Sequence, residues 1–205
     1  MINKEKNILT YDSIAEVYDR SFPGPSERID ELSVLIAPKS TILDIGCGAG
    51  NNAVFLANMG HNVIGIDLSD SMLALAKNKK SPAKFIKMDM CNMVFDESCF
   101  DCVIASYALC HVRKSEIAGW FAKIRSFLRP DGILFIELHV GDSCEVTVTE
   151  PLDNTLTTDM NIMSRAEIME YLEKNQFKVL KLFAQPEQEF GLNDIQDVCV
   201  IAKKL

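Results

Sequence analysis

The stretch Asp44-Ile45-Gly46-Cys47-Gly48-Ala49-Gly50 constrains this chain more than any other. It grows out of Thr41-Ile42-Leu43-Asp44-Ile45, a short β-branched apolar run that reads as a buried strand. It leads into Asn51 to Met59, where Ala53, Leu56 and Ala57 share one helical face and Gly60 is placed to cap the end in a left-handed conformation. Glycines at such a junction let the backbone turn sharply and approach a ligand with no Cβ in the way. Asp67 ends the following strand, 23 residues after Asp44, where a carboxylate can accept both hydrogen bonds of a ribose diol.

The rest of the chain repeats the rhythm. His61 to Ile66 reads as a strand, and Ser69 can N-cap a helix carrying Met72, Leu73, Leu75 and Ala76, with Lys77, Lys79 and Lys80 at its dipole-negative end. Lys84 to Met88, Asp101 to Ala105 and Ile133 to Leu138 read as further strands, the last entered by the turn Arg129-Pro130-Asp131-Gly132. The helix before that turn places Ile117, Phe121, Ile124 and Leu128 on one face. Ser164 and Glu167 form a capping box for a helix through Leu172, Asn175 stops it, and strands follow at Lys178 to Phe183 and Val198 to Ala202. Such alternation predicts an α/β fold, doubly wound, with a mostly parallel sheet between helical layers. One domain is expected over residues 1–205. Residues 1–38 would form a helical cap, with helices near Tyr11 to Asp19 and Glu27 to Ile36 broken at Pro23-Gly24-Pro25. Val140 to Met163, rich in Thr and acidic residues, is expected to be a loop or substrate lid.

Composition removes several classes of function. Lys plus Arg number 21 against 29 Asp plus Glu, a net charge of −8, which argues against a surface that tracks phosphates on nucleic acid. Neither a secretory leader nor a bilayer-length apolar run is present, so a cytoplasmic protein without a membrane partner is expected. The seven cysteines are odd in number and scattered, and read as reduced thiols. Cys99 and Cys102 have CxxC spacing but no second pair to complete a tetrahedral site, so no metal is expected. No heptad seam reveals an oligomeric partner.

The glycine spacing then discriminates between nucleosides. A dinucleotide fingerprint reads GxGxxG and sets a pyrophosphate on the helix N-terminus. Here Gly50 arrives one residue early, and Asp44 sits two residues before Gly46. That carboxylate would repel a pyrophosphate and attract an ammonium group. S-adenosylmethionine offers an ammonium, a ribose and no phosphate.

With these residues in view, the sequence resembles the class I S-adenosylmethionine-dependent methyltransferases, in the compact small-molecule type related to ubiquinone-biosynthesis and tellurite-resistance enzymes. The resemblance runs through Tyr11-Asp12-Ser13-Ile14-Ala15-Glu16-Val17-Tyr18-Asp19, Leu43 to Gly50, Gly65-Ile66-Asp67-Leu68-Ser69, Asp89, Phe100 to Ala105 and Leu128 to Gly132. It implies a Rossmann-like three-layer sandwich with seven strands, the last antiparallel. It also implies that Asp44 and the backbone of Gly46, Cys47 and Gly48, in the loop ending at Gly50, hold the methionine end. Asp67 would take the ribose, Leu68 and Met72 the adenine face, Asp89 the adenine amino group and Met90 N–H a ring nitrogen. Ser106 or Tyr107 would lie beneath the methionine moiety, and Tyr11 and Tyr18 would close as an aromatic lid.

Methyl transfer from a sulfonium is an in-line substitution in which charge is lost, so positioning and exclusion of water carry much of the rate. A base is needed only when the attacking atom must shed a proton of high pKa. His111 leads the catalytic candidates, as a histidine able to titrate near neutrality at the carboxyl edge of the sheet, followed by His139, Tyr107 and Glu137. Ala105-Ser106-Tyr107-Ala108 lacks the Asn-Pro-Pro-Tyr type of motif for amide or adenine amino groups, and Cys110 has no preceding proline. A small-molecule acceptor is therefore expected. Asp142, Glu145, Glu150 and Asp153 read as a solvated loop face. A non-catalytic or partner-activating binder of the same cofactor and a nicotinamide-dependent oxidoreductase are the alternatives.

Overall fold

The computed structural model describes residues 2–187 and 195–205. Helices α1 (Lys4–Ser21) and α2 (Ile29–Ser33) precede strand β1 (Thr41–Ile45). Then come α3 (Asn51–Asn58), β2 (Asn62–Asp67), α4 (Asp70–Asn78), β3 (Lys84–Lys87), β4 (Phe100–Ser106), a 3-10 turn at Leu109–His111 and α5 (Lys114–Phe127). The chain continues through β5 (Leu128–Val140), β6 (Cys144–Glu150), β7 (Asp153–Ile162), α6 (Arg165–Lys174), β8 (Phe177–Pro186) and β9 (Gln196–Lys204). Seven strands form one sheet in the order β3-β2-β1-β4-β5-β9-β8, and β9 runs antiparallel to both β5 and β8. The doubly wound sandwich with an antiparallel last strand is thus the observed architecture.

Two apolar layers hold the sheet. On one face Ile42, Cys102, Ile104, Ile133, Phe135, Cys199 and Ile201 pack with Ile29, Leu32 and Leu56 from α2 and α3. On the other, Leu43, Ile45, Val103, Leu134 and Ile136 pack against Trp120, Phe121 and Ile124 of α5 and Leu172 of α6. The alternation within each strand follows from side chains pointing to opposite faces at successive residues. The strand order reverses between β1 and β4, so the chain leaves their carboxyl ends in opposite directions and opens a crevice there.

Several expectations change. α1 starts at Lys4, seven residues before Tyr11, because its first half is docked by polar rather than apolar contacts. Asn7 Nδ2 donates to the Asp159 carbonyl at 2.8 Å, Asp159 N–H donates back to Asn7 Oδ1 at 2.9 Å, and Thr10 donates to the Thr157 carbonyl at 3.1 Å. α2 shrinks to five residues, with Ser33 Oγ turned back to the Asp30 carbonyl at 2.9 Å, a local bond that competes with helix continuation. The turn Arg129 to Gly132 lies inside β5 as an excursion, since Leu128 pairs with Phe100 and pairing resumes at Ile133 with Cys102. Val140 to Met163 is no irregular loop: β6 and β7 pair as an antiparallel hairpin from Cys144–Ile162 to Glu150–Asp153. Its alternation was hidden because two polar residues, Glu150 and Thr158, sit on the buried side with Val148 and Met160 and bond to each other. The capping box at Ser164 and Glu167 and the stop at Asn175 occur as expected.

Candidate active site

Gly46, Gly48 and Gly50 all take left-handed conformations, with φ of 63°, 50° and 80°. A Cβ on Gly46 would stand 2.6 Å from Ala108 Cβ, and one on Gly50 would stand 2.8 Å from Phe85 Cζ. The loop is closed by Cys47 N–H to the Ile66 carbonyl at 3.0 Å and Gly50 N–H to the Cys47 carbonyl at 2.8 Å. Asp67 braces it, accepting from Gly48 N–H and Ser69 N–H, both at 2.9 Å. Each Asp67 oxygen retains a second lone pair. Burial pushes its carboxyl above the usual range. Asp44 is 2% exposed, and its Oδ2 has no hydrogen-bond partner. Burial, reinforced by the charge of Asp67, pushes Asp44 up to about 7.

A pocket of about 140 Å³ lies beyond this loop, lined by Leu68, Met72, Met88, Asp89, Met90, Tyr11 and Tyr18. Sequence reasoning missed Lys4, whose Nζ is 3.2 Å from Asp89 Oδ2. Asp89 also accepts from Cys91 N–H at 2.8 Å and Asn92 Nδ2 at 3.0 Å, and these bonds hold its carboxyl below the ordinary range against the opposing effect of burial. Nothing local in the sequence points to Lys4, which meets Asp89 across 85 residues of chain.

The neighbouring cavity is larger, about 870 Å³, and shares Tyr11, Tyr18, Gly46, Gly48, Ser106, Tyr107 and His111 with the first. It brings Asp44 and Cys47 together with Glu137 and His139. Ser106 donates to Glu137 Oε2 and Ser26 Oγ donates to Glu137 Oε1 at 2.6 Å, while burial pushes the Glu137 carboxyl up. Tyr107 holds φ of 51°, unusual for a residue with a side chain, and donates its N–H to the Glu137 carbonyl at 2.8 Å. Its ring lies 4.9 Å from that of His139, whose Nδ1 is 2.8 Å from Asp197 Oδ1. Ser26, Arg28 and Asp197 were not anticipated. Nor was Glu150, which turns inward from the hairpin at 4% exposure instead of lying on a solvated face.

His111 departs from expectation. Tyr11 Oη is 3.1 Å from its Nε2, while Asn7 Nδ2 and the Asp159 carbonyl stand 3.2 and 3.3 Å from its Nδ1. Either tautomer therefore finds partners on both nitrogens. Burial pushes its pKa down to about 4, so near neutrality it is an uncharged ring and not a group in titration. An NMR pH titration should show no His111 inflection between pH 5 and 8. An inflection near 6.5 would show that water solvates the ring despite these contacts. Cys102 is fully buried and its thiol is pushed upward. No metal-holding cluster of three or more His, Cys, Asp or Glu, and no helix long and apolar enough to cross a membrane, occurs among the described residues.

Residues 42–132, which include the glycine loop, Asp67 and Asp89, match the family described as a methyltransferase domain. YqeM of Bacillus subtilis, named as a methyltransferase, is 32% identical over 138 residues, 64% of this chain and 56% of that protein. The chain thus carries a methyltransferase domain over residues 42–132. The chain is also 33% identical to the carboxy-S-adenosyl-L-methionine synthase of Campylobacter hominis over 151 residues, 65% of this chain and 63% of that one. It spans less than two thirds of the length of both relatives. A solved S-adenosylmethionine-dependent methyltransferase of Methanosarcina mazei shares the fold, with a TM-score of 0.76 at 19% identity over 89% of this chain and 99% of that one.

Proposed function

We propose that this chain binds S-adenosylmethionine and transfers its methyl group to a small-molecule acceptor by in-line substitution, releasing S-adenosylhomocysteine. Asp44 carries the reading. A buried carboxyl with an unpartnered oxygen, set before a glycine loop, suits an ammonium and disfavours the pyrophosphate of a nicotinamide dinucleotide. The cradle fits the remaining groups. Asp67 keeps acceptor capacity for a ribose diol, Leu68 and Met72 offer apolar surface to an adenine, and the Met90 N–H and Asp89 can meet its polar edge once Lys4 yields.

When bound, the cofactor supplies an electrophilic methyl group on a sulfonium. The chain contributes position and dryness. Tyr11 and Tyr18 on α1 stand over both cavities, and Glu150, Leu152 and Met160 of the β6–β7 hairpin wall the larger one. These two elements form the lid in this reading, bound to each other through Asn7 and Asp159. His139, oriented by Asp197, accepts a proton where the acceptor must lose one, and Tyr107 packs beside it. His111, neutral and bonded to Tyr11, is a positioning residue.

Calorimetric titration with S-adenosylmethionine, S-adenosylhomocysteine and NADH tests the reading. The two sulfur nucleosides should bind in the micromolar range and NADH should not. Asp67→Ala should weaken both by at least ~30-fold, about 2 kcal/mol, the order expected for losing hydrogen bonds to a charged acceptor. NADH binding, or no binding of either sulfur nucleoside by folded protein, overturns the assignment.

A further inference from the structure

The wall of the larger cavity changes character along one face of the sheet. On β5, Ile133 and Phe135 belong to the apolar layer under α2 and α3, and Glu137 and His139 follow at the same two-residue spacing. Opposite them on β9 stand Cys199 and Asp197, and beyond these on β8 stand Phe183 and Gln185. The carboxyl edge of this face is therefore a polar shelf three strands wide.

Each of three carboxylates on or beside that shelf, Glu137, Asp197 and Glu150, has a partner among the described residues. Glu137 accepts from Ser26 and Ser106, Asp197 from His139, and Glu150 from Thr158 Oγ1 at 3.1 Å and Leu152 N–H at 3.5 Å. The cation of the cavity does not. The guanidinium of Arg28 lies over the Phe183 ring, 4.7 Å from its centroid, and none of its donors has an acceptor among the described residues. Its charge is felt by Glu137 and Cys199, but neither bonds to it. Stacking fixes the guanidinium plane and leaves its edge donors in the fork that matches a carboxylate or phosphate.

Arg28 is also held on a fixed platform. Asn51 Nδ2 donates to the Phe22 carbonyl, Ser26 N–H to Asn52 Oδ1 at 2.7 Å, and Arg28 N–H to Ser26 Oγ at 3.1 Å. The strap from Phe22 to Arg28 is thereby tied to α3 and, through Glu137, to β5. With a net charge of −8 the molecule as a whole repels anions, so an anionic ligand must be chosen by a local cation such as this.

We propose that the acceptor is an elongated organic anion whose carboxylate or phosphate monoester is held by Arg28 over Phe183. This rests on the larger cavity being the acceptor site. Phe183 is on β8, four strands from β1 and its glycine loop, or about 19 Å at the usual strand spacing. The Arg28 guanidinium thus stacks on the edge strand at the far side of this half of the sheet from the glycine loop. The span from Ser106 on β4, across the shelf to β8, crosses three strand spacings, about 14 Å, so the anion and the methylated atom lie at opposite ends of the acceptor.

Protein saturated with S-adenosylhomocysteine is titrated by calorimetry with 4-phenylbutyrate, 3-phenylpropyl phosphate, 4-phenylbutylamine and 4-phenylbutanol, in the unmodified chain, Arg28→Gln and Arg28→Lys. At least one anion should bind, ten-fold or more weaker in Arg28→Gln and only partly restored in Arg28→Lys. The stronger of the two anions tells carboxylate from phosphate. S-adenosylhomocysteine affinity and melting temperature should be unchanged in both variants. The proposal is overturned if neither anion binds, if the amine binds in preference, or if anion binding ignores Arg28. A loss of S-adenosylhomocysteine affinity in Arg28→Gln also overturns it, since Arg28 then serves the cofactor. Should the unmodified chain bind no S-adenosylhomocysteine, the methyltransferase reading itself has failed, and titration of the ligand-free protein with the same probes still decides whether Arg28 holds an anion.

Discussion

Asp44→Asn is expected to make the ligand-free protein more stable and its cofactor affinity at least ten-fold weaker. The folded carboxyl is raised to about 7, whereas an unfolded aspartate titrates near ~3.9. Between those values the unfolded chain has released a proton that the folded chain keeps. Stability contributed by this group is therefore complete below pH ~4 and falls as pH rises toward 7, by on the order of 4 kcal/mol at most. Asparagine carries no such penalty, although it leaves a buried amide to satisfy. The variant should melt roughly 3–10 °C above the unmodified chain at pH 7.5, with the gap closing as pH falls toward 4. Affinity should move oppositely, because the unpartnered oxygen is what an ammonium would neutralise. In the unmodified chain, binding below pH 7 releases a proton. Its affinity should rise with pH from 5 to 7 and level off above, while the variant stays flat. Equal affinity in the two proteins, or no pH dependence in the unmodified one, would remove Asp44 from the cofactor site.

The second large effect is expected at Gly46. Alanine there meets two separate obstacles, a φ of 63° and a Cβ 2.6 Å from Ala108 Cβ. The left-handed conformation costs about 1 kcal/mol for a residue with a side chain. The overlap adds roughly 1–3 kcal/mol, because Ala108 is buried just ahead of the 3-10 turn carrying Leu109 to His111 and cannot swing aside. Gly46→Ala should lose about 2–4 kcal/mol of stability and most cofactor binding, since relief of the overlap pushes the loop from the turn that walls both cavities. The double variant Gly46→Ala/Ala108→Gly separates the two causes: it should recover the overlap and leave the backbone cost. Urea unfolding of the single and double variants measures both. Additive losses would show that the two residues do not meet.

Motifs contained within a few residues were legible without coordinates. The capping box at Ser164, the cap Ser69 provides to α4, and the left-handed Gly60 are all local hydrogen-bonding or backbone demands that residue type states directly. The doubly wound, mostly parallel sheet was legible as well, because strands joined through helices by short connections must lie parallel. The start of α1 was hidden, since Asn7 and Thr10 are polar residues buried by bonds to a hairpin about 150 residues away. The hairpin itself was hidden by threonines that suit a strand and a polar loop alike.

The sequence by itself determined the fold class and the glycine cradle with Asp44 and Asp67, because those features are built from neighbouring residues whose geometry admits few alternatives. Only the tertiary structure decided what surrounds the cradle: Lys4 on Asp89, Ser26 on Glu137, Asp197 on His139, Arg28 over Phe183 and the half-buried, neutral His111. Each of these joins residues 58 or more apart in the chain, or depends on how far water is excluded. Pairings of that range are set by packing the whole sheet, and no local pattern of residue types records them.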